Sequence, residues 1–340
     1  MGLSFLGAPV DRVHLELTNR CALACSKCSR TGSELVKRAG DFPVELVPKL
    51  FEGTEIKLAT ICGNYGDGIY HPQFHGILEA IKSFGVTVDL TTNGSKRSRA
   101  WWEKTAEILE PQDRITFSID GLQDTNHLYR RGSDWESIMT AIESVVGHCR
   151  TRWKMIVFRH NEHQIEEAQK LAQSLGLDEF RINKSARFRV GKEDPLRPLK
   201  PEWVGLRSRN QNVIKGLLKA QDRDGLGARV RVKPQCETGR ELFVDFAARV
   251  FPCCACAMFE TSPYAEHFRN PGVDNDLHTN SLDTILQSDC WDSLASTWDS
   301  PVRAPASCVK RCGVTKALGD ELMPDEFMAK PSADNLRIKF

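Results

Sequence analysis

The chain has 340 residues and a formal net charge of +1 at pH 7, with 41% hydrophobic and 27% charged residues. This composition is typical of a globular protein with one large domain, or with a large and a small domain. The balanced charge excludes a whole-protein field that would draw the chain onto nucleic acid or a membrane, and no apolar run approaches the ~20 residues that span a bilayer. The N-terminus lacks the features of a secretory signal, so we expect a cytoplasmic protein.

Strand-like and helix-like segments alternate through the first half of the chain. We predict strands at residues 13–17, 56–61, 86–90, 115–119, 153–158 and 179–182. We predict helices at residues 43–52, 72–84, 98–109, 134–148 and 162–175. Repeated strand–helix units with right-handed crossovers favour an α/β fold with a parallel sheet, in which ligands lie at the carboxyl ends of the strands.

The alternation breaks after the sixth predicted strand, where a polar stretch at residues 183–199 is interpreted as a linker or loop. Beyond it we predict a helix, a short hairpin and two short helices, at residues 202–220, 241–246 with 249–252, 281–286 and 290–296. The charged tail beyond Pro324 is predicted to be extended. We therefore predict two domains, residues 1–200 and residues 201–340.

Cys21, Cys25 and Cys28 follow the first predicted strand in a C-x3-C-x2-C spacing. Three closely spaced thiolates can hold three corners of a cubic iron–sulfur cluster and leave one iron open to a small molecule, as an open zinc site does. Clusters held by four cysteines mostly carry electrons. The alternatives are a zinc knuckle, although structural zinc usually takes four protein ligands, and buried thiols. The spacing therefore predicts a cluster that takes part in chemistry.

This spacing, preceded by Thr18-Asn19-Arg20, resembles the radical S-adenosylmethionine (SAM) superfamily. The resemblance implies a partial (β/α)6 TIM-like barrel and a [4Fe–4S] cluster whose open iron chelates SAM. It also implies one-electron cleavage of SAM to a 5′-deoxyadenosyl radical, which takes a hydrogen atom from a substrate, and a flavodoxin or ferredoxin-type electron donor. One departure is Lys27, since an aromatic or large apolar residue usually precedes the third cysteine.

The resemblance also assigns SAM contacts to the ends of the next two strands. Residues 62–72 resemble the family's Gly-Gly-Glu-Pro loop, which binds the SAM ammonium through backbone and carboxylate acceptors. Only Gly66 matches that loop outright, and Asp67 replaces its glutamate. Residues 91–94, Thr-Thr-Asn-Gly, resemble the third strand end beside the SAM ribose and make Asn93 a predicted contact.

Alternation along the fourth predicted strand puts Ser118 and Asp120 on one face. By resemblance, Ser118 contacts the SAM carboxylate and Asp120 lies near the ribose. An arginine is the natural partner of a carboxylate, and we favour Arg130 for this role over the alternative, Arg131. Residues 156–157 either pack on the adenine or belong to the core.

A second cysteine set lies in the C-terminal part of the chain. Its context resembles the auxiliary-cluster extension called SPASM, or its shorter form called twitch. The resemblance implies one auxiliary [4Fe–4S] cluster held by Cys236, Cys253, Cys308 and Cys312. Cys254 is the alternative to Cys253, and a structural zinc is the alternative for the whole set. The remaining cysteines are interpreted as buried thiols: Cys62, Cys149, Cys256 and Cys290.

We therefore predict a radical SAM oxidoreductase that acts on a small polar metabolite, and an anionic metabolite is included in this prediction. The first barrel strand begins by Val13, which leaves no room for a leader-peptide-binding domain before it. Modification of a ribosomal peptide or protein is the alternative, and an iron–sulfur electron carrier is the non-enzyme alternative. The basic stretch at residues 181–209 either faces an anionic substrate or is a solvated surface. Nucleic acid ranks third as a substrate, because aromatic residues are not interleaved with the basic ones.

Overall fold

The structure is a computed structural model, and it describes residues 3–5, 7–31, 33, 36–37, 39–185, 194–204, 214, 216–234, 236, 240–258, 275–315 and 335–340. The chain divides into two compact units. Unit 1 comprises Met1–Leu15, Glu45–Lys57 and Arg207–Ala329. Unit 2 comprises Glu16–Val44, Leu58–Leu206 and Lys330–Phe340. The expected boundary near residue 200 stays a prediction.

The strands in chain order are β1 (Ser4–Phe5), β2 (Ala8–Pro9), β3 (Arg12–Leu15), β4 (Leu58–Ile61), β5 (Thr87–Thr92), β6 (Arg114–Ser118), β7 (Arg150–Ile156), β8 (Glu179–Asn183), β9 (Val230–Val232), β10 (Glu241–Val244), β11 (Val250–Phe251), β12 (Gly313–Thr315) and β13 (Asn335–Lys339).

The helices in chain order are α1 (Val47–Phe51), α2 (Phe74–Ser83), α3 (Arg99–Ile108), α4 (Asn126–Tyr129), α5 (Trp135–Val145), α6 (Ile165–Ser174), α7 (Arg223–Arg229), α8 (Cys254–Met258), α9 (Leu282–Leu286), α10 (Asp289–Ala295) and α11 (Ala306–Cys312). Short 3-10 turns lie at Val44–Leu46, Gly68–Tyr70 and Pro201–Trp203. Within the described ranges, no helix is both long enough and apolar enough to span a membrane.

Unit 2 contains a sheet in which β4, β5, β6, β7 and β8 pair in parallel in sequence order. The last strand, β13, adds to β8 in the antiparallel direction. Two of the intervening helices have side-chain N-caps. Ser98 accepts a hydrogen bond from Trp101 N at the start of α3, and Asp134 accepts one from Ser137 N at the start of α5. Gly85 follows α2 with a positive φ of 69°, which ends that helix.

The two faces of this sheet differ in chemistry. Phe117, Trp153 and Phe180 are fully buried, and Trp153 packs against Trp135 of α5, so these side chains define the face covered by helices. Alternate residues along the same strands project to the opposite face, where charged side chains pair. On that inner face Arg152 lies 2.8 Å from Glu179. The inner face therefore carries paired charges, in contrast to the aromatic face.

Unit 1 contains the C-terminal hairpin and most of the later helices. Strands β10 and β11 pair in antiparallel register, and β10 also pairs in parallel with β3, which places Phe243 opposite His14. Strand β12 pairs in antiparallel register with β9. Trp291 of α10 is buried and packs edge-on against Phe5. This unit carries the second cysteine set.

The predicted strands of the first half and the C-terminal hairpin are confirmed. The parallel pairing of β10 with β3 was not predicted, because it joins segments more than two hundred residues apart in sequence. Helix α7 was also missed, since Gly225 and Gly227 lower its helix propensity, while Asp222 caps its start by accepting from Gly225 N. The helix predicted at residues 202–220 lies largely outside the described residues, and so does most of the tail predicted beyond Pro324.

Candidate functional site

The cysteine-rich loop of unit 2 is held in place by hydrogen bonds around Asp41. Asp41 accepts from Thr18 Oγ1 at 2.6 Å and pairs with Arg20 at 2.9 Å. Within the loop, Cys28 N donates to Cys25 O at 3.2 Å, a turn that draws these two residues together. The Ala24 amide donates to Arg131 O at 2.9 Å, which ties the loop to the segment after α4.

Cys21, Cys25 and Cys28 are free thiols, and each is partly buried. Burial raises the pKa of Cys21 to about 12, and the nearby Asp67 adds to the shift. Burial also raises the pKa of Cys25, although the positive charge of Arg130 opposes it. Because cluster ligands are thiolates, these thiols would release protons when they bind iron. Three thiols on one short loop are the donor set of an iron–sulfur cluster, so the residues fit the predicted group.

Gly66 lies against the backbone of the cysteine loop. A Cβ atom at this position would lie 1.9 Å from Thr18 O and 2.9 Å from Arg20 O. In addition, Asp67 N donates to Arg20 O at 2.9 Å, and Arg30 donates to Tyr65 O at 3.0 Å. The loop at residues 62–71 is therefore packed against the cysteine loop, and glycine is needed at residue 66 because any side chain would collide with backbone.

Asp67 connects that loop to the end of β5. Its Oδ2 atom accepts from Thr92 Oγ1 at 3.0 Å, from Asn93 N at 2.7 Å and from Asn93 Nδ2 at 2.6 Å. The pKa of Asp67 is raised because the carboxyl group is buried, although these hydrogen bonds favour its charged form. Asn93 Nδ2 also lies 3.7 Å from Cys21 Sγ as a donor to sulfur. Three predicted site residues are thus brought together.

Asp120 and Arg130 form a buried ion pair, with Arg130 Nε 2.8 Å from Asp120 Oδ2. The other oxygen of Asp120 accepts from Ile156 N at 2.6 Å. Arg130 is mostly buried, whereas the alternative, Arg131, is exposed. Ser118 is buried and ends β6, two residues before Asp120. The arrangement brings Arg130 to the ends of the strands, while its contact with a SAM carboxylate stays a prediction.

An apolar wall lines one side of Cys25. The rings of Tyr129 and Phe158 pack with their centroids 4.3 Å apart and their planes at 32°, and Ile156 and Cys25 pack against them. Val157, by contrast, is fully buried in the core. Of the two residues predicted to pack on adenine or in the core, Val157 is therefore core, and Ile156 lies beside the cluster loop.

Lys27 has a partner that the sequence did not reveal. Its Nζ atom lies 2.8 Å from Asp194 Oδ2, and Asp194 is almost fully buried. The two residues are 167 positions apart. The cation that replaces the family's large apolar residue is therefore neutralised by a carboxylate from a segment that was interpreted as a linker.

The second cysteine set lines a cavity of about 250 Å³ in unit 1. Two of the four predicted ligands, Cys308 and Cys312, lie on α11, and Cys253 directly precedes α8. All four line this cavity: Cys236, Cys253, Cys308 and Cys312. The alternative ligand Cys254 lines it as well. Several thiols around one cavity are the donor set of a closed iron–sulfur cluster or of a structural zinc, so the residues fit either predicted group.

A further cysteine belongs to this cavity. Cys256 was interpreted as a buried thiol, and it is buried, but its Sγ atom lies 3.8 Å from Cys253 Sγ. The contact with Cys256 lowers the pKa values of Cys253 and Cys308, and the contacts with these two thiols raise the pKa of Cys256. The spacing Cys253-Cys254-x-Cys256 was the signal in the sequence that could have identified it as a cavity residue.

The described residues contain no group of three or more His, Cys, Asp or Glu side chains already arranged to hold a single metal ion.

Of the other cysteines predicted to be buried thiols, Cys149 is buried, whereas Cys62 and Cys290 are partly exposed. Burial raises the pKa of Cys149 to about 12. Cys149 therefore matches its prediction, and Cys62 and Cys290 are less buried than expected.

Comparison with protein families gives one model match, to the radical SAM superfamily, over residues 15–172. A curated relative is the tungsten-containing aldehyde ferredoxin oxidoreductase cofactor-modifying protein of Pyrococcus furiosus, 24% identical over 205 residues, which are 56% of this chain and 53% of that protein. The chain thus matches about half the length of this relative.

Among solved structures, SuiB of Streptococcus suis has a similar fold. Its complex with S-adenosylmethionine gives a TM-score of 0.55 at 12% identity, over 85% of this chain and 68% of SuiB. Its complex with the precursor peptide SuiA gives a TM-score of 0.54 at 11% identity, over 86% and 70% of the two chains. The mixed α/β fold with a largely parallel sheet therefore matches the predicted partial barrel.

Proposed function

We propose that this protein, whose residues 15–172 match the model of the radical SAM superfamily, is a radical SAM enzyme that cleaves SAM reductively with a [4Fe–4S] cluster held by Cys21, Cys25 and Cys28. When bound, that cluster supplies the electron that yields a 5′-deoxyadenosyl radical, which takes a hydrogen atom from the substrate. The protein's own task is to bind SAM in one orientation, exclude water and present one C–H bond.

One contact supports this proposal more than any other. Asn93 comes from the strand end that resembles a SAM-binding segment, and its Nδ2 atom lies 3.7 Å from the Sγ atom of Cys21. The predicted ligand of the cluster and the predicted ligand of SAM are therefore neighbours, although 72 positions separate them. An electron carrier would not need this arrangement, since it binds no second molecule beside its cluster.

The SAM-binding residues we propose are those at the ends of the strands of unit 2: Gly66, Asp67, Asn93, Ser118, Asp120 and Arg130. Arg130 supplies the positive charge for the SAM carboxylate, because guanidinium and carboxylate groups pair in a fixed geometry. Asp120 orients Arg130 through the 2.8 Å ion pair. Asp67 orients Asn93 through the 2.6 Å hydrogen bond.

A second [4Fe–4S] cluster in unit 1, held by Cys236, Cys253, Cys308 and Cys312, completes the proposal. The cavity of about 250 Å³ that these residues line supports it. Such a cluster can accept an electron from a substrate radical, anchor a substrate or stabilise the fold. A flavodoxin or ferredoxin-type protein would supply the electron for SAM cleavage.

We propose a small polar metabolite as the substrate. The charged inner face of the sheet in unit 2 supports this choice, because polar side chains there can bind a polar molecule without a leader peptide. Modification of a peptide remains the second candidate. SuiB was solved with a precursor peptide, but a shared fold at this identity does not select a substrate.

The test is to reconstitute the protein without oxygen, add SAM and dithionite, and measure 5′-deoxyadenosine by liquid chromatography and mass spectrometry. The wild type is expected to produce it, and the triple replacement of Cys21, Cys25 and Cys28 by Ala is expected to produce none. Cys149→Ala is the matched control, because Cys149 is also a buried thiol of unit 2 but lies at the opposite end of the strands.

Two results would contradict the proposal. The first is wild-type protein that carries iron but releases no 5′-deoxyadenosine, as an electron carrier would. The second is a triple variant that cleaves SAM as fast as the Cys149→Ala control. Deuterated candidate metabolites would then identify the substrate by transfer of the label into 5′-deoxyadenosine.

A further inference from the structure

A row of three side chains crosses the inner face of the sheet just inside the ends of the strands. Ser118 of β6 is in register with Lys154 of β7, and Lys154 is in register with Arg181 of β8. Residues in register on neighbouring parallel strands project to the same face. Trp153 projects to the helix-covered face, so Lys154, the next residue, projects inward together with Ser118 and Arg181.

Lys154 differs from the other cations of the inner face. Arg152 pairs with Glu179 at 2.8 Å, and Arg130 pairs with Asp120 at 2.8 Å. In the part of the chain that the structure describes, Lys154 Nζ takes part in no hydrogen bond or ion pair, although the residue is only partly exposed.

The carboxylates near Lys154 are already engaged. Asp120 forms an ion pair with Arg130 through Oδ2 and accepts a hydrogen bond from the Ile156 amide through Oδ1. Glu179 pairs with Arg337 of β13 at 2.8 Å as well as with Arg152. These two carboxylates are therefore already held by other groups, and neither forms an ion pair with Lys154 in the part of the chain that the structure describes.

The pKa values of Lys154 and Arg181 also reflect burial and neighbouring positive charge. Burial lowers the pKa of Lys154, and the positive charges of Arg130 and Arg181 lower it further, while Cys62 and Asp120 oppose the shift. Burial likewise lowers the pKa of Arg181, with a further contribution from the positive charge of Arg152. A partly dehydrated lysine that forms no ion pair among the described residues, with a second cation in register beside it, attracts an anion from solution.

We propose that Lys154, assisted by the charge of Arg181, binds an anionic oxygen group of the substrate, either a carboxylate or a phosphate. The substrate class is therefore a small organic acid or phosphate ester. This inference rests on the proposed function, because Ser118, the neighbour of Lys154 in the row, is a proposed SAM contact. An anion bound to Lys154 would place the rest of a small substrate next to SAM, where hydrogen abstraction occurs.

The experiment measures anion binding without turnover. Reconstituted protein is loaded with SAM in the absence of a reductant, so that the proposed SAM contacts are filled, and is dialysed to equilibrium against radiolabelled inorganic phosphate or malonate at low ionic strength. We expect wild type to bind at least one probe, and Lys154→Met to bind it about tenfold more weakly or worse, because charge-assisted hydrogen bonds are the strong ones. Lys154→Arg keeps the charge and is expected to bind within a few-fold of wild type.

Lys170→Met is the matched control, since Lys170 lies exposed on α6 and its loss removes the same charge from unit 2. It is expected to bind the probes as wild type does. Wild type that binds neither probe would overturn the inference, and so would equal binding by Lys154→Met and wild type, or equal losses in Lys154→Met and Lys170→Met. Failure of this inference can be distinguished from failure of the proposed function. The dialysis measures anion binding, whereas SAM cleavage by the wild type is measured in a separate assay, and either assay can succeed when the other fails.

Discussion

Asp67 accepts a hydrogen bond from Asn93 Nδ2 at 2.6 Å, and that same nitrogen lies 3.7 Å from Cys21 Sγ. The amide has two hydrogens, so one can bind the carboxylate while the other points at the sulfur. The carboxylate therefore fixes the direction of an N–H group towards a proposed cluster ligand. Hydrogen bonds to cluster sulfurs tune reduction potentials, so Asp67 is a positioning residue for the cluster as well as a proposed SAM contact.

Asp67→Ala is expected to destabilise the folded protein by about 1–3 kcal/mol, because it leaves the buried donors of Thr92 and Asn93 without an acceptor. It is also expected to lower the rate of 5′-deoxyadenosine formation by tenfold or more. Denaturant unfolding and the SAM cleavage assay measure the two effects. Glu79→Ala is the control, since Glu79 is exposed and its contact with Lys104 at 3.6 Å contributes little. Equal stability of Asp67→Ala and this control would contradict the role given to Asp67.

Gly66→Ala is expected to prevent the loop at residues 62–71 from packing against the cysteine loop. The added Cβ would lie 1.9 Å from Thr18 O, and backbone cannot rotate away as a side chain can. We expect a loss of stability of about 2–3 kcal/mol and iron binding well below one cluster at the N-terminal site. Thermal unfolding and iron analysis measure these effects.

Gly76→Ala is the matched control for that variant. A Cβ at Gly76, inside α2, would meet only a Val44 methyl group at 3.9 Å. Because alanine has the higher helix propensity, this control is expected to gain about 0.5–1 kcal/mol. If Gly66→Ala were as stable as Gly76→Ala, the close approach of the two loops would be wrong.

The strands of unit 2 could be predicted because apolar runs and helical repeats alternate clearly along the chain. The cluster loop could be predicted because its three cysteines are close in sequence. By contrast, the partner of Lys27 could not, since Asp194 lies 167 positions away in a stretch with no periodic pattern. The row of Ser118, Lys154 and Arg181 depends on the exact pairing of three strands, and a shift of one residue in that register would move each side chain to the other face of the sheet.

Cysteine replacements in unit 1 test which thiols hold the proposed auxiliary cluster. Cys308→Ala and Cys312→Ala are each expected to remove about half of the iron from fully reconstituted protein, because a [4Fe–4S] cluster held by four thiolates is lost when one is missing. Cys256→Ala is expected to keep the iron, because Cys256 is proposed to contact the ligands Cys253 and Cys308 without being a ligand itself. Cys290→Ala is the control, because Cys290 does not line the cavity.

The position of Cys256 makes this result informative. Its Sγ atom is 3.8 Å from Cys253 Sγ, so either thiol can reach the same iron. Loss of iron in Cys256→Ala together with retention in Cys253→Ala would exchange the roles of these two residues. Zinc in place of iron throughout the series would contradict the auxiliary cluster itself.

Lys154→Met is expected to raise the melting temperature at pH 7, although it weakens anion binding. Burial lowers the pKa of Lys154 in the folded chain below its ordinary value of 10.5. At pH values between the lowered pKa of the folded state and 10.5, the folded protein therefore binds fewer protons than the unfolded chain. At pH values below the folded-state pKa the amine of Lys154 is charged in both states, and this charge destabilises the folded protein. Replacing an unpaired buried charge by an apolar side chain of similar size gains about 1–2 kcal/mol, which for a chain of this length corresponds to a rise of roughly 1–3 °C.

The pH dependence of the stability difference between Lys154→Met and wild type shows whether Lys154 serves to bind an anion or to stabilise the fold. As the pH rises from the folded pKa towards 10.5, the wild-type lysine loses its charge in the folded state, so the stability difference between wild type and Lys154→Met should shrink. Calorimetry at pH 7 and at pH 10 measures it, with Lys170→Met expected to match wild type at both. A Lys154→Met protein that melts below wild type at pH 7 would mean that Lys154 stabilises the fold through an internal partner, and the substrate anion would then not be needed to explain this residue.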